Sequence, residues 1–172
     1  MSTARHEAWG LGLKVRVGIA ALSLIATLPA FAQEKKCVSL KTEAQVEQDY
    51  TDAQGKPAKR LVEPHKIVPG TEVIWTISAF NVCDKAADKV VIENAVPEHM
   101  IYVADSAIGP GAEIAYSLDG REFKKATELV VRDADGKTRP ARADEIKSIR
   151  WVLSVPIAPK SMAYGRYRAK VK

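Results

Sequence analysis

The chain has 172 residues, with 26 Lys and Arg against 21 Asp and Glu, so its formal charge is +5. The first 32 residues hold three of those basic residues and one acidic residue, so the remaining 140 residues carry a formal charge of only +3. A segment of that length can form one domain with a real core, and so mild a charge gives no reason to expect nucleic acid as a partner.

The amino terminus has the pattern of a cleaved secretory signal. Basic residues precede an apolar run over 17–32, which ends in Ala30-Phe31-Ala32. Small residues at both alanine positions fit a signal-peptidase site, so cleavage is predicted after Ala32. The run has 16 residues, short of the roughly 20 that span a bilayer as a helix, and a retained anchor is the weaker alternative. We therefore expect an exported chain, periplasmic or extracellular, with no membrane anchor.

The segment 33–60 begins with a strand-like alternation over 38–50. Apolar or small side chains such as Leu40 and Ala44 alternate with polar ones such as Lys41 and Glu43, which predicts a strand with one wet face. A strand of that length is about twice the usual one. Part of the hairpin 45–60 is therefore expected either to project and self-associate by strand addition, or to bend back onto its own domain.

The rest of the chain, 61–172, continues with a period of two. Turn residues such as Pro69-Gly70 and Asp119-Gly120 separate the strand-like segments, and no window keeps a helical apolar period for three turns. Many short strands with regular turns predict an antiparallel β-sandwich. The predicted strands after the first are 61–62, 72–81, 89–96, 100–103, 114–118, 128–132, 146–155 and 162–171.

Two turns have nearly the same sequence, DAQGK at 52–56 and DADGK at 133–137. Both lie between strand-like segments, so each predicts a hairpin tip. The second also resembles the start of a calcium-binding loop, but the further acidic ligands that such a loop needs do not follow it. A turn is the favoured interpretation.

Three segments, 68–103, 116–123 and 149–172, resemble the bacterial family called domain of unknown function eleven, or the conserved repeat domain. The shared features are a Pro-Gly turn, an aromatic strand ending in Asn81, a valine-rich strand followed by Pro97, and the pair Arg150-Trp151 before a Pro-rich turn. The resemblance implies an immunoglobulin-like sandwich and an exported structural, adhesive or envelope role. It brings no catalytic residues. This chain differs in carrying one copy of the repeat, and in having Cys83 where glycine is common.

Physical chemistry gives two of these motif residues a structural role. Asn81 ends a strand, where its side chain can bond turn backbone, and Trp151 is expected in the core between two sheets.

The sequence contains no recognisable catalytic constellation. It lacks a nucleophile elbow, a metal-binding helix motif and a phosphate-binding loop, and His65 and His99 have no ligand-spaced neighbours. A glycosidase with two catalytic carboxylates stays an open alternative, although no sequence pattern identifies such a pair of residues. We expect no enzyme activity, no cofactor and no metal.

The exported chain has two cysteines, Cys37 and Cys83, in a compartment that permits oxidation. If strand 38–50 runs antiparallel to strand 72–81, the two cysteines lie close together and a disulfide is expected. If strand 38–50 pairs only with 59–64, the two cysteines lie at opposite ends of the domain and cannot bond. We favour the disulfide over free thiols or an intermolecular link.

The last strand carries Arg166, Arg168, Lys170 and Lys172 on one face. These charges could protect an exposed sheet edge from pairing, which is the favoured interpretation, or bind an anionic ligand. The sequence thus predicts a non-enzymatic exported module that contacts a protein or envelope glycan surface. The alternative is a soluble periplasmic module that binds an anionic ligand through this basic strand.

Overall fold

A computed structural model describes residues 37–172, so the predicted signal segment and the cleavage after Ala32 lie outside the described residues. The described chain is built from ten strands and two 3-10 turns, Ala126–Glu128 and Ala143–Glu145. The strands are β1 (Val38–Thr51), β2 (Pro57–Val62), β3 (Glu72–Asn81), β4 (Val91–Ala95), β5 (Met100–Tyr102), β6 (Ala112–Ser117), β7 (Val130–Arg132), β8 (Thr138–Pro140), β9 (Ser148–Leu153) and β10 (Met162–Val171).

Antiparallel pairing arranges these strands in sheets. A five-stranded sheet has the order β2-β1-β3-β10-β5, a three-stranded sheet has the order β4-β9-β6, and β7 and β8 form a separate hairpin. The two larger sheets pack as a sandwich, which confirms the predicted all-β class. The immunoglobulin-like assignment within that class stays a prediction.

The core lies between the two larger sheets and is centred on large buried side chains. Trp151 of β9 and Tyr167 of β10 have no exposed surface, and Ile77, Ile92 and Ile149 are also fully buried or nearly so. Trp151 therefore occupies the core, as predicted. Its Nε1 donates to the carbonyl oxygen of Ile108 at 2.9 Å, so burying the indole leaves no orphaned donor.

The first strand is long enough to have two different neighbours. Residues Val38 to Gln45 pair with β3, and Val46 to Thr51 pair with β2 on the opposite side. The two arrangements predicted as rivals therefore coexist on one 14-residue strand. The interpretation with β2 as the only partner is wrong, since the first half of β1 runs along β3.

Most strand bounds differ from the prediction by one or two residues, and β2 begins at Pro57 where position 61 was predicted. Glu128 belongs to a 3-10 turn, and the strand that follows begins at Val130. Strand β8 was not predicted, because three residues that include Arg139 and Pro140 carry no apolar alternation. Both predicted tips, 52–56 and 133–137, are tight turns closed by backbone hydrogen bonds.

Asn81 holds together the turn that follows β3. The residue is 1% exposed. Its Nδ2 donates to the carbonyl oxygens of Lys85, Ile157 and Ala158, and its Oδ1 accepts from the N–H of Cys83 at 3.0 Å. This confirms the predicted role and fixes the backbone at Cys83.

Candidate functional site

The first half of β1 is an open edge of the five-stranded sheet. Residues Val38 to Gln45 pair with β3 on one side, and no strand within residues 37–172 pairs with them on the other. Strand β2 covers that outer side only from Val46 onwards. An eight-residue stretch of strand backbone is therefore available to another chain.

Hydrogen bonding at the two ends of β1 shows which residues point outwards. The N–H of Val82 bonds to the carbonyl of Cys37 on the β3 side, whereas the N–H of Asp52 bonds to the carbonyl of Lys56 on the β2 side. Backbone groups alternate in direction along an antiparallel strand. The odd-numbered residues of β1 therefore bond to β3, and Val38, Leu40, Thr42 and Ala44 present their N–H and C=O groups to the open side.

The side chains along this edge differ between the two faces. Leu40 lies on the face that continues the core side of the sheet, yet it is 56% exposed because the second sheet does not extend over it. Lys41 and Glu43 lie on the other face and form an exposed ion pair of 3.0 Å. A cleft of about 410 Å³ runs beside the edge towards Glu63 and Pro64. We call residues 38–45 the open edge.

A disulfide anchors the open edge at its first residue. Cys37 and Cys83 are bonded, with their Cα atoms 5.1 Å apart, which confirms the predicted pair. The bond joins the residue before β1 to the turn that Asn81 orders, so the start of the strand is fixed to β3. Such a bond is compatible with an oxidising compartment outside the cytoplasm.

The structure brings together only part of the predicted basic strand. Arg166 and Arg168 line a cleft of about 410 Å³ on the outer face of the five-stranded sheet, with Lys59 and Leu61 of the β1–β2 hairpin along one side. Lys170 and Lys172 do not line it, and the Nζ of Lys172 donates instead to the carbonyl of Glu98. The hairpin root therefore flanks this face, and whether the rest of hairpin 45–60 projects and self-associates stays a prediction. We call this feature the basic cleft.

Carboxylates neutralise part of the charge in the basic cleft. Arg168 donates to Glu72 at 2.7 Å and to Glu47 at 2.6 Å, and Lys59 also reaches Glu47 at 3.1 Å. The hydrogen bond from Arg168 lowers the pKa of Glu47, and the bond to Glu72, followed by the bond to Glu47, raises the pKa of Arg168. Arg166 differs, because its Nε donates to the neutral hydroxyl of Thr76 at 3.0 Å.

The interpretation of the basic strand as a protected edge is wrong. Strand β10 lies between β3 and β5, and beyond β5 the N–H of Ile108 bonds to the carbonyl of Arg166. Over its charged half, β10 therefore has bonded neighbours on both sides. The outermost strands of this sheet are β2 and β5, and the first half of β1 adds a further unpaired edge where β2 does not cover it.

A small cavity of about 140 Å³ lies beside the core, lined by residues that include Tyr102, Tyr116 and Leu129. The two phenol oxygens are 3.3 Å apart, and burial raises the pKa of Tyr116 above its ordinary value. The Tyr116 phenol therefore stays protonated near neutral pH. The cavity walls continue the hydrophobic core, since Leu129 and Tyr102 belong to it.

His65 and His99 belong to no cluster of metal-ligand side chains among the described residues. Among residues 37–172, no group of three or more His, Cys, Asp or Glu side chains is placed to hold a metal ion. Over the same range, no helical segment has the length and apolar character that a bilayer crossing requires. Comparisons of the chain with protein-family models, with curated proteins and with solved structures find no match.

Proposed function

We propose that this chain is an exported, non-enzymatic β-sandwich module that serves as a structural or adhesive component of the bacterial envelope or cell exterior, and that it acts by strand addition at the open edge. The observation that carries the proposal is the eight-residue edge of β1, whose outward backbone groups have no strand neighbour within residues 37–172. The signal-like amino terminus supports the exported role, and the Cys37–Cys83 disulfide is compatible with it.

Strand addition suits this edge for two physical reasons. An added strand would bond to backbone N–H and C=O groups, which supply affinity, while alternate side chains would supply specificity. The disulfide at Cys37 fixes one end of the edge and the hairpin with β2 fixes the other, so little backbone entropy would be lost when a partner binds. A preorganised edge is what a module that works by contact needs.

Photo-crosslinking in intact cells tests this function. A photoreactive amino acid replaces Leu40, which is 56% exposed on the open edge, or Val130 of β7, which is 55% exposed and serves as the matched control. We expect a protein adduct of the exported chain from position 40 and none from position 130. Adducts of equal yield at both positions, or none at position 40, would contradict the proposed function.

The basic cleft favours a second function, the binding of an anionic ligand. Its lining includes the cations Lys59, Arg60, Arg166 and Arg168, and one carboxylate, Glu47. Apolar side chains, among them Leu61 and Ile108, complete the wall. A sulfated or phosphorylated glycan would match this combination, because its charges would meet arginine while its rings would cover apolar surface.

Retention on heparin, an anionic polysaccharide, tests the second function. Replacing Arg166 and Arg168 together by Ser should abolish retention at low salt, whereas Glu47→Gln should raise the NaCl concentration needed for elution, because it frees Arg168 and Lys59 from their shared partner. Replacing Lys170 and Lys172 by Ser is the matched control, since it removes the same charge outside the cleft. Equal losses in both double variants would mean that net charge alone governs retention.

A further inference from the structure

We propose that the anionic ligand of the basic cleft is an amphiphile, a molecule with one acidic headgroup and an alkyl chain, and that the alkyl chain lies in a second cleft beside the first. The headgroup would bind Arg166, and the chain would run along β10 towards Met162. The inference rests on the second proposed function and deepens it, because it names the class of ligand and the place of each of its two parts.

The second cleft opens beside the first residues of β10 and has a volume of about 220 Å³. No charged side chain lines it, and Ser161 and Tyr164 supply its only side-chain hydroxyl groups. Val155 and Met162 line it and are 62% and 55% exposed, and Val155 is the most exposed large apolar side chain within residues 37–172. Exposed apolar side chains gathered in a concave site are typical of a binding surface. We call this feature the apolar cleft.

The basic cleft and the apolar cleft are neighbours on the same two segments of chain. Ile108 and Arg166 line the basic cleft and exchange two backbone hydrogen bonds, of 2.8 and 2.9 Å. Two residues further along their segments, Pro110 and Tyr164 line the apolar cleft. One ligand can therefore occupy both clefts without crossing another element of the fold.

The side chains of β10 form a row from the charged cleft to the apolar one. A Cβ atom built at Gly165 would meet the indole of Trp151 in the core, so this position faces inwards. Successive residues of a strand face opposite sides, so Met162, Tyr164 and Arg166 share the outer face. The guanidinium carbon of Arg166 lies 5.6 Å from the centre of the Tyr164 ring. The row extends about 13 Å from Arg166 to Met162, from a cation to an exposed apolar side chain.

Arg166 is suited to bind the headgroup because no carboxylate within residues 37–172 forms an ion pair with it, whereas Arg168 has two such partners. Its Nε donates to the neutral hydroxyl of Thr76 at 3.0 Å. Arg60 also lines the cleft, but two of its nitrogens donate to Gln48. A phosphate or carboxylate headgroup can therefore accept two hydrogen bonds from the terminal nitrogens of Arg166.

The apolar cleft favours an alkyl chain over the sugar rings of a glycan. Sugar hydroxyl groups lose their hydrogen bonds to water when they are covered, and only two side chains of this cleft carry a hydroxyl group that could replace them. An alkyl chain needs no such replacement. Its affinity should rise about fourfold for each methylene group that leaves water.

Isothermal titration calorimetry of the disulfide-bonded chain, expressed from the full reading frame, tests the inference. The ligands are octyl phosphate and decyl phosphate, each below its micelle-forming concentration. We expect one site per chain and at least about tenfold tighter binding of decyl phosphate, because it buries two more methylene groups. Inorganic phosphate tests the headgroup alone, and decyl maltoside tests the tail with a neutral headgroup. Both should bind at least about tenfold more weakly than decyl phosphate.

Two single variants separate the contributions of the clefts. Val155→Ser should weaken the binding of decyl phosphate by at least about threefold and leave heparin retention unchanged, because only the apolar cleft is altered. Arg166→Gln should weaken decyl phosphate binding by at least about tenfold and reduce heparin retention as well. The matched controls are Val130→Ser, whose valine is 55% exposed, and Arg132→Gln. Both residues lie in β7, outside the two clefts, so both controls should bind as the wild type does.

Three results would overturn the inference: equal affinity for octyl and decyl phosphate, decyl maltoside binding as tightly as decyl phosphate, or wild-type affinity in Val155→Ser. If heparin retention still depends on Arg166 and Arg168 in that case, the second function stands and only the amphiphile is wrong. If heparin retention is also independent of these two arginines, the second function falls with it.

Discussion

Replacing Cys37 and Cys83 together by Ala is expected to lower the free energy of unfolding by about 4 kcal/mol. The bond closes a loop of 46 residues, and the chain-entropy relation gives about that value for a loop of this length. The loss arises mainly in the unfolded chain, which gains conformations when the cross-link is removed. Urea unfolding at neutral pH, without reductant, measures the difference.

The native state should also change locally in this double variant. The open edge has one neighbouring strand, β3, so its amino-terminal end relies on the disulfide more than an interior strand would. We expect Lys41 and Glu43 to exchange their amide hydrogens faster in the variant, while Ile149 and Trp151 of β9 change only as global stability does. An unchanged free energy of unfolding, with unchanged exchange in β1, would contradict the anchoring role.

Trp151→Ala is expected to cost about 3–5 kcal/mol, the usual range for removing a large aromatic side chain from a core. Trp151 has no exposed surface, and its indole lies directly on the backbone of Gly165 in the opposite sheet. A Cβ atom built at Gly165 would lie 2.5 Å from Cδ2 of the indole, closer than real Cβ atoms approach their neighbours. The two sheets therefore fit together through a tryptophan that faces a glycine.

The contact between Trp151 and Gly165 can be tested by a double-mutant cycle. Gly165→Ala alone should destabilise the wild type by about 1–3 kcal/mol, because its methyl group overpacks the core. In the Trp151→Ala background the same methyl group should be tolerated, since the indole is absent, so the two costs should not add. Thermal unfolding of the four proteins gives the coupling free energy between positions 151 and 165. Strictly additive costs would show that the indole is not the reason for a glycine at position 165.

Local pattern was sufficient for much of the fold. The predicted bounds of β3 and β10 coincide with those of the structure, because β3 is a mostly apolar run between Gly70 and the turn after Asn81, and β10 alternates small or apolar residues with basic ones. The disulfide could be predicted because it depends on one antiparallel pairing, β1 with β3. Asn81 and Trp151 were predictable from the hydrogen-bonding capacity and size of their side chains.

The functional surfaces were less predictable, because they depend on residues that are distant in sequence. The carboxylates that bind Arg168 come from Glu47 and Glu72, at separations of 121 and 96 residues, and nothing near β10 indicates them. Likewise, the alternation around Leu40 predicts an apolar face but not whether a second sheet covers it. The open edge follows from the order of strands in the sheet, which no local pattern encodes.

The central claim is that the open edge of β1 pairs with another strand, and residue-specific amide hydrogen exchange tests it most directly. In dilute protein, Leu40, Thr42 and Ala44 should exchange fast, because their N–H groups point outwards, whereas Lys41 and Glu43 should be protected by β3. In the complex with the protein that cross-links at position 40, we expect the three even-numbered amides to become protected by at least about tenfold, with no change at Lys41 and Glu43. Fast exchange at Leu40, Thr42 and Ala44 in that complex would contradict the claim.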